Sequence, residues 1–127
     1  MFEKLELTRM AQSLAAHSGA RMAVIAQNVA NADTPGYKAR DLPGFAEVFA
    51  TDDVHMRATR SGHLTAGSAA AMPAIEAANG REAPNGNSVS LEGEMVKSVE
   101  ARQNHDMALA IYRATSDVIR ASLGRNR

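Results

Sequence analysis

Four histidines are the side chains in this sequence most suited to metal chemistry. His17, His55, His63 and His105 lie far apart, and no two of them form the His-x-x-x-His pair that places two imidazoles on one helix face. The 127 residues include no cysteine, which excludes disulfides, thiolate metal ligands and thiol nucleophiles. We therefore interpret the histidines as ordinary surface or interface residues, and we expect no metal and no cofactor.

The carboxylates occur without the sequence context that acid–base catalysis requires. Asp52 and Asp53 are adjacent at an expected turn. Glu92 and Glu94 fall in the first turn of an expected helix, where acidic residues suit the positive end of the helix dipole. The chain has no Gly-x-Ser-x-Gly nucleophile motif and no phosphate-binding glycine loop. The sequence predicts that the protein is not an enzyme and has no small-molecule substrate.

Hydrogen bonding to the backbone is the chemistry that residues 28–38 are suited to. Asn31 and Asp33 have short polar side chains that compete for backbone hydrogen bonds and favour helix ends and turns. Thr34 precedes a proline, which disfavours helical backbone, and Thr34 to Tyr37 fits a type II turn. We expect a helix to end near Asn31 and the chain to turn sharply. The residues of this turn motif are Asn28, Asn31, Asp33, Thr34, Pro35, Gly36, Tyr37 and Lys38.

Two long amphipathic segments, residues 1–32 and 90–124, must position this motif. In the first, one stripe recurs at helical spacing: Leu7, Ala11, Leu14, Ser18, Met22, Ile25 and Val29. The second segment begins at Ser90, a favourable N-cap, and stops at Gly124. The prediction is a mainly α fold. The two helices pair as an antiparallel, coiled-coil-like hairpin and form one core domain.

The second segment carries two apolar stripes, and such a helix needs more than one neighbour. The first stripe consists of Met95, Val99, Leu109, Tyr112, Ile119 and Leu123, and the second of Val96, Met107, Ile111, Ala114 and Val118. We expect assembly with further subunits. The predicted assembly interface consists of Leu7, Leu14, Met22, Ile25, Val29, Met95, Val99, Leu109, Tyr112, Ile119 and Leu123.

The middle of the chain is predicted to be irregular and partly extended. Residues 33–64 hold the turn, and within them residues 54–64 are expected to form an extended pair. Residues 65–89 are rich in Ala, Gly, Ser, Asn and Pro, which is typical of a flexible loop. Phe45 and Phe49 are four residues apart, so we expect them to share one side of a short helical turn and anchor the segment.

Composition excludes several classes of partner. The 14 basic and 14 acidic residues balance, so nucleic-acid binding is not indicated. No apolar run reaches the roughly 18 residues of a transmembrane helix, and the N-terminus lacks the features of a cleaved secretory signal. Charges of both signs in residues 3–9 disfavour a membrane-surface helix. Few aromatics, three Phe and two Tyr without Trp, indicate an elongated or partner-dependent protein.

The turn motif, in its position after an amphipathic helix, resembles the signature of the flagellar axial proteins, the rod and hook family. The matching residues run from Gln27 to Lys38, and ADTPGYKARDL (32–42) looks most like a proximal rod protein. TRSGHL (59–64) and NGNSVSLEGEM (85–95) are also similar to that family. Ser90 stands where the family often has Asp, and both residues cap helices.

The resemblance implies a structural subunit of the bacterial flagellar basal body, in the proximal part of the rod that crosses the periplasm and transmits torque for motility. The terminal helices of that family pair in an inner coiled-coil tube. The implied partners are other copies of the chain, other rod proteins, a FliE-type adaptor and the MS-ring protein. Export through the flagellar type III apparatus without a cleaved signal is also implied, with Phe45 and Phe49 as a candidate export signal.

Two alternatives to this function stay open. The neighbouring proximal rod protein of the FlgC type shares the motif, although it usually has a longer insertion after the Asn-rich helix end, which is missing here. A non-flagellar helical adaptor or membrane-surface protein would share the amphipathic helices but would leave motility untouched.

Overall fold

Two long helices dominate the computed structural model, which describes residues 2–52, 75–78 and 81–124. In chain order the elements are α1 (Phe2–Ala30), β1 (Arg40–Asp41), α2 (Phe45–Asp52), β2 (Glu76–Ala77) and α3 (Leu91–Leu123). The mainly α fold with long terminal helices and an irregular middle, predicted from the sequence, is confirmed.

Helices α1 and α3 pack against each other along their length. Asn28 of α1 hydrogen-bonds to Glu94 near the start of α3, and Arg21, two turns earlier in α1, lies 4.0 Å from Glu100. Residue numbers therefore fall along α1 as they rise along α3. The pair is the antiparallel hairpin that the sequence predicted.

Small residues line the contact between the two helices. Helix α3 buries one residue in every seven: Glu94, Ala101, Ala108 and Thr115, which we call the α3 inner row. Helix α1 buries Ala11, Ser18 and Ile25 at the same spacing, which we call the α1 inner row. A seven-residue repeat is the period of a coiled coil, and small side chains at these positions let the two backbones approach closely.

The middle segment adds a two-stranded antiparallel pairing beside the helical hairpin. Arg40 of β1 lies opposite Ala77 of β2, and Asp41 opposite Glu76. The Ala78 N–H also donates to the Ala39 carbonyl over 2.8 Å. The predicted extended pair at 54–64, like residues 65–74 and 79–80 of the predicted loop, lies outside the described residues.

Both ends of α3 carry the local signals that the sequence indicated. The Ser90 side chain accepts a hydrogen bond from the Gly93 N–H over 3.3 Å, so Ser90 is the N-cap. The Gly124 N–H donates to the Arg120 carbonyl over 2.8 Å where the helix ends. Within the part of the chain that the structure describes, no helix has both the length and the apolar character needed to span a membrane.

Candidate functional site

The chain reverses direction just after α1 through a tight turn. The Tyr37 N–H donates to the Thr34 carbonyl over 3.3 Å, and Gly36, third in the turn, has a φ of 73°. This is the left-handed conformation that the third residue of a type II turn requires, and glycine adopts it without steric cost. Pro35 fixes the second position, because its ring holds φ near the value that the turn needs.

The Asn28 side chain joins α1 to the segments that follow. It is 0% exposed, and its Nδ2 donates to the Arg40 carbonyl over 2.6 Å and to Glu94 Oε2 over 2.9 Å. Its Oδ1 accepts from the Arg40 N–H over 3.0 Å and from Tyr37 Oη over 3.3 Å. One amide therefore connects the end of α1, the strand β1 and the start of α3.

Asn87 makes a similar set of hydrogen bonds to the turn that follows α1. Its Nδ2 lies 2.8–3.0 Å from the carbonyls of Asn31, Ala32 and Thr34, which directly follow the last residue of α1. Its Oδ1 accepts from the Val89 N–H over 2.7 Å. A residue more than fifty positions later in the chain thus holds the turn that follows α1.

Backbone and hydroxyl contacts align residues 85–88 with residues 36–39. The Gly36 N–H donates to the Asn85 carbonyl over 3.0 Å, and the Ser88 N–H donates to the Tyr37 carbonyl over 3.1 Å. Ser88 Oγ accepts from the Ala39 N–H over 2.9 Å. We call the resulting cluster of Asn28, Tyr37, Arg40, Asn87 and Glu94 the helix-end joint.

A chain of ion pairs continues from the helix-end joint along the α1–α3 contact. Arg21 holds Asp41 through two hydrogen bonds, Nε to Oδ1 at 3.0 Å and Nη2 to Oδ2 at 3.3 Å. Lys97 Nζ lies 3.1 Å from Asp41 Oδ2 and 3.0 Å from Glu94 Oε1. Four alternating charges, two of them on α3, therefore link both helices to β1.

These contacts shift the pKa values of Asp41, Arg21 and Lys97. Burial by itself would raise the pKa of Asp41, but hydrogen bonds from Arg21, the Leu42 N–H and Lys97 outweigh it and hold the pKa below its ordinary value. The pKa of Arg21 is raised, chiefly by its hydrogen bond to Asp41. Burial opposes the charge of Lys97, yet its two carboxylate partners raise its pKa. The network thus favours the charged form of each of these groups.

The other residues of the turn motif have distinct places. Asn31 Nδ2 donates to the Gln27 carbonyl over 2.8 Å, and its Oδ1 accepts from Thr34 Oγ1 over 3.3 Å, so this pair closes the last turn of the helix. Lys38 forms an exposed ion pair with Glu82. Asp33 and Pro35 are exposed at the tip of the turn.

The residues of the predicted assembly interface do not share one environment. Ile25 is buried within the hairpin, whereas Leu14, Met22, Leu109 and Ile119 are half-buried. The remaining six are exposed: Leu7, Val29, Met95, Val99, Tyr112 and Leu123.

The face of α3 turned away from α1 is exposed and largely apolar. Eight residues follow one another there at steps of three and four, and we call them the α3 outer row: Val96, Val99, Gln103, Met107, Ala110, Ala114, Val118 and Ala121. All eight are exposed, with Val99 at 67%. Since a helix turns by about 100° per residue, this row lies opposite the inner row. Part of the second predicted stripe (Val96, Met107, Ala114 and Val118) belongs to it.

Phe45 of α2 contacts α1, and Phe49 packs on Phe45. The Phe45 ring makes an edge-on contact with the His17 ring at a centroid distance of 5.7 Å, and Phe49 stacks on Phe45 at 5.4 Å. His17 Nε2 donates to the Pro43 carbonyl over 2.9 Å. In the folded chain both rings are half-buried.

Several residues of the helix-end joint were not singled out by sequence reasoning. Glu94 was interpreted only as a residue favourable to the helix dipole, yet its carboxylate is 3% exposed and contacts Asn28. Asn87 stood inside a segment that resembled the family, without an assigned contact. An asparagine flanked by Gly and Ser was the available signal for Asn87, because such residues cap backbone groups.

The described buried polar side chains of this site all have hydrogen-bond partners, so its chemistry is to hold three chain segments together. Together with the exposed apolar row on α3, the fold defines a structural, helical-hairpin protein that presents an exposed apolar face. A family model described as "Flagella basal body rod protein" matches residues 10–38. These residues span most of α1, including Asn28, and the turn that follows it. The flagellar basal body rod protein FlgB of Agrobacterium fabrum (strain C58 / ATCC 33970) is 28% identical over 123 residues, 88% of each chain.

These findings support the flagellar basal body rod proteins as the family of this chain. The similarity to FlgB extends over most of the chain.

Proposed function

We propose that the chain is a structural subunit of the proximal rod of the bacterial flagellar basal body, which assembles with other rod proteins into the shaft needed for motility. The family match and the similarity to FlgB support this function and disfavour an adaptor outside the flagellum. The structural observation that carries the proposal is the α3 outer row, whose apolar side chains are exposed along almost the whole helix.

Helix α1 presents a complementary surface on the side turned away from α3. Gln12, Ala16, Gly19, Ala23, Ala26 and Ala30 follow one another at helical spacing, and we call them the α1 outer row. Five of these six residues are alanine or glycine, and none is charged. The larger side chains of an α3 outer row can therefore pack closely on the α1 outer row of a neighbour. Because the two surfaces differ, such a contact need not close and can generate a helical shaft.

The finer partners remain part of this proposal. Besides other copies and other rod proteins, a FliE-type adaptor and the MS-ring protein would contact the chain at the base of a rod that crosses the periplasm. The chain would leave the cytoplasm through the flagellar type III export apparatus without a cleaved signal. Phe45 and Phe49 would serve as its export signal while unfolded, and normal export of the Phe45→Ala, Phe49→Ala double variant would refute that role.

A charge placed on the α3 outer row tests the proposed function. In the bacterium that encodes the chain, we expect deletion of its gene to abolish both swimming and rod formation. A Val99→Asp, Met107→Asp variant should not restore either, because it introduces two carboxylates into an apolar contact without disturbing the buried inner row. Swimming in soft agar and electron microscopy of basal bodies measure the outcome.

Arg102→Asp is the matched control for that variant. Arg102 is exposed on the same helix, beside the outer row, and its replacement changes the net charge by the same two units. The control strain should swim. Intact rods in the deletion strain would refute the rod function, whereas full motility of the Val99→Asp, Met107→Asp strain would refute only the assembly role of the outer row.

A further inference from the structure

The inner rows of α1 and α3 do not by themselves select one alignment of the two helices. Ala11, Ser18 and Ile25 repeat every seven residues on α1, and Ala101, Ala108 and Thr115 do so on α3. A slip of one helix along the other by seven residues, about 10.5 Å, exchanges one small residue for another at every one of these positions except Ile25. Small apolar contacts alone therefore discriminate weakly between the aligned and the slipped hairpin.

Polar groups break this repetition at one end of the rows. Glu94 occupies the first position of the α3 inner row and faces Asn28, which is fully buried. Lys97, one turn later, bridges Glu94 to Asp41 on β1. A slip by one heptad places Arg21 opposite Glu94 in one direction and Ala101 opposite Asn28 in the other, so neither slipped alignment keeps both the Asn28–Glu94 hydrogen bond and the Lys97–Asp41 ion pair.

We propose that Glu94, acting through Asn28 and Lys97, fixes the register of the α1–α3 hairpin. A slip by one heptad would leave the buried Glu94 carboxylate without the Asn28 amide and would separate Lys97 from Asp41. Glu94 is thus a positioning residue, and its contribution is to exclude slipped pairings rather than to add stability.

The register would also affect the assembly of the rod. This consequence rests on the proposed function, whereas the register proposal itself does not. The outer rows of α1 and α3 lie on opposite sides of one hairpin, so the register sets their offset along its axis. A slip by one heptad would shift one assembly surface by about 10.5 Å relative to the other. Subunits with mixed registers could not pack into one regular shaft.

Engineered cysteine pairs report the register directly, since the chain has no cysteine of its own. Leu14 precedes Asn28 by two heptads, and Ala108 follows Glu94 by two heptads, so these residues face each other in the native alignment. The Leu14→Cys, Ala108→Cys pair reports that alignment. Leu14→Cys combined with Ala101→Cys or with Thr115→Cys reports a slip in either direction. A disulfide forms only when the Cα atoms lie within about 7 Å, which is less than the slip.

In the otherwise unchanged full-length protein, we expect the native cysteine pair to form its disulfide on oxidation. The two slipped pairs should form about tenfold less disulfide under the same conditions. In a Glu94→Ala, Lys97→Ala background the slipped pairs should gain about tenfold, since losing the satisfied polar contacts removes roughly 1.4 kcal/mol of discrimination. Helical circular dichroism should persist, because alanine extends the inner row. Glu94→Gln keeps an oxygen that accepts from Asn28 and should retain the native disulfide pattern.

Val24→Ala is the control for destabilisation without loss of register. Val24 is buried outside the ion-pair network, so its truncation weakens the core but should leave the native pair dominant. If the Glu94→Ala, Lys97→Ala variant loses its helical circular dichroism, the same cysteine pairs are tested in a Glu94→Ala variant, which retains Lys97. A disulfide pattern in these backgrounds that is unchanged from the parent overturns the proposal. The assay uses the isolated chain, so that result would leave the rod function untouched.

Discussion

At the scale of single residues, the number of hydrogen bonds that Asn28 makes explains why position 28 requires an asparagine. Its amide uses two donor positions, to Arg40 and Glu94, and two acceptor positions, from Arg40 and Tyr37. An amide has these four positions and no more, so the group is saturated. Aspartate could not donate, and leucine of similar size would leave three segments with unpaired buried groups.

The Asp41 carboxylate makes the fold sensitive to acid. Its pKa is lowered in the folded chain, so it contributes stability above the ordinary value of 3.8 that it has when unfolded, and this contribution is lost as the pH falls through the folded pKa. We expect the urea midpoint, followed by circular dichroism, to fall between pH 5 and pH 2, and to fall less in Asp41→Asn.

Asp33→Asn provides the comparison for the Asp41 variant. Asp33 is exposed in the turn, and its neutralisation should leave the acid sensitivity of the midpoint unchanged. Equal pH profiles for Asp41→Asn and the parent would show that the Arg21–Asp41–Lys97 contacts contribute nothing to the acid response.

At the scale of elements, two independent features determine how the chain leaves α1. One is the local sequence of the turn, and the other is a residue far away in the chain. Pro35 and Gly36 stop the helix through backbone preference, whereas Asn87 lies within hydrogen-bond distance of three carbonyls of the turn that follows the helix. Residues 85–88 can occupy their place only when the turn has formed. The two signals therefore reinforce each other.

Replacing Pro35-Gly36 by Ala-Ala should block rod assembly while the chain is still synthesised. Alanine in the conformation of Gly36 costs about 1–2 kcal/mol, and the substitution lets α1 extend past Ala30, which moves the carbonyls that Asn87 contacts. Immunoblots measure synthesis, and electron microscopy of basal bodies measures assembly.

The chain contains its own control for that substitution, since Pro43-Gly44 is a second Pro-Gly pair. Gly44 does not have a positive φ, and a Cβ added there meets nothing within 4 Å. Pro43-Gly44→Ala-Ala keeps the carbonyls that accept from His17 and from the start of α2, so rods should form. Normal rods in the Pro35-Gly36 variant would show that the helix stop is dispensable.

At the scale of the whole molecule, the described core is small. Its buried apolar residues are Ala11, Val24, Ile25, Ala39, Leu42, Ala101 and Ala108, four of them alanine and none aromatic. The larger apolar side chains of α3, such as Met95, Val96 and Val99, are exposed instead. Much of the apolar surface is therefore available to neighbours rather than to the subunit's own core.

A core of this kind predicts low stability for the isolated chain. Alanine removes little apolar surface from water, so the folding free energy gained by burial is small against the entropy of ordering two long helices. We expect a broad thermal transition in far-UV circular dichroism at a modest temperature, shifted upward as the protein concentration increases. A sharp, high-melting transition that does not depend on concentration would contradict this expectation.

Sequence reasoning located the helices, the α3 caps and the turn because these depend on neighbouring residues. Ser90 caps the helix that follows it, Gly124 ends it, and a proline followed by glycine permits a type II turn wherever it occurs. The stripe on α1 also supplied the buried Ala11, Ser18 and Ile25. Periodicity identifies the residues that share a helix face.

Only the tertiary structure decided which face of α3 turns inward and which side chains meet in the helix-end joint. Hydrophobicity favours the faces with Met, Val and Leu, yet the inner row holds Glu94, two alanines and a threonine, because small side chains allow close helix packing and Glu94 finds a partner in Asn28. Asn28 and Glu94 are 66 residues apart. The sequence determines the local geometry at each of these residues, but a contact over such a separation exists only once the hairpin has closed.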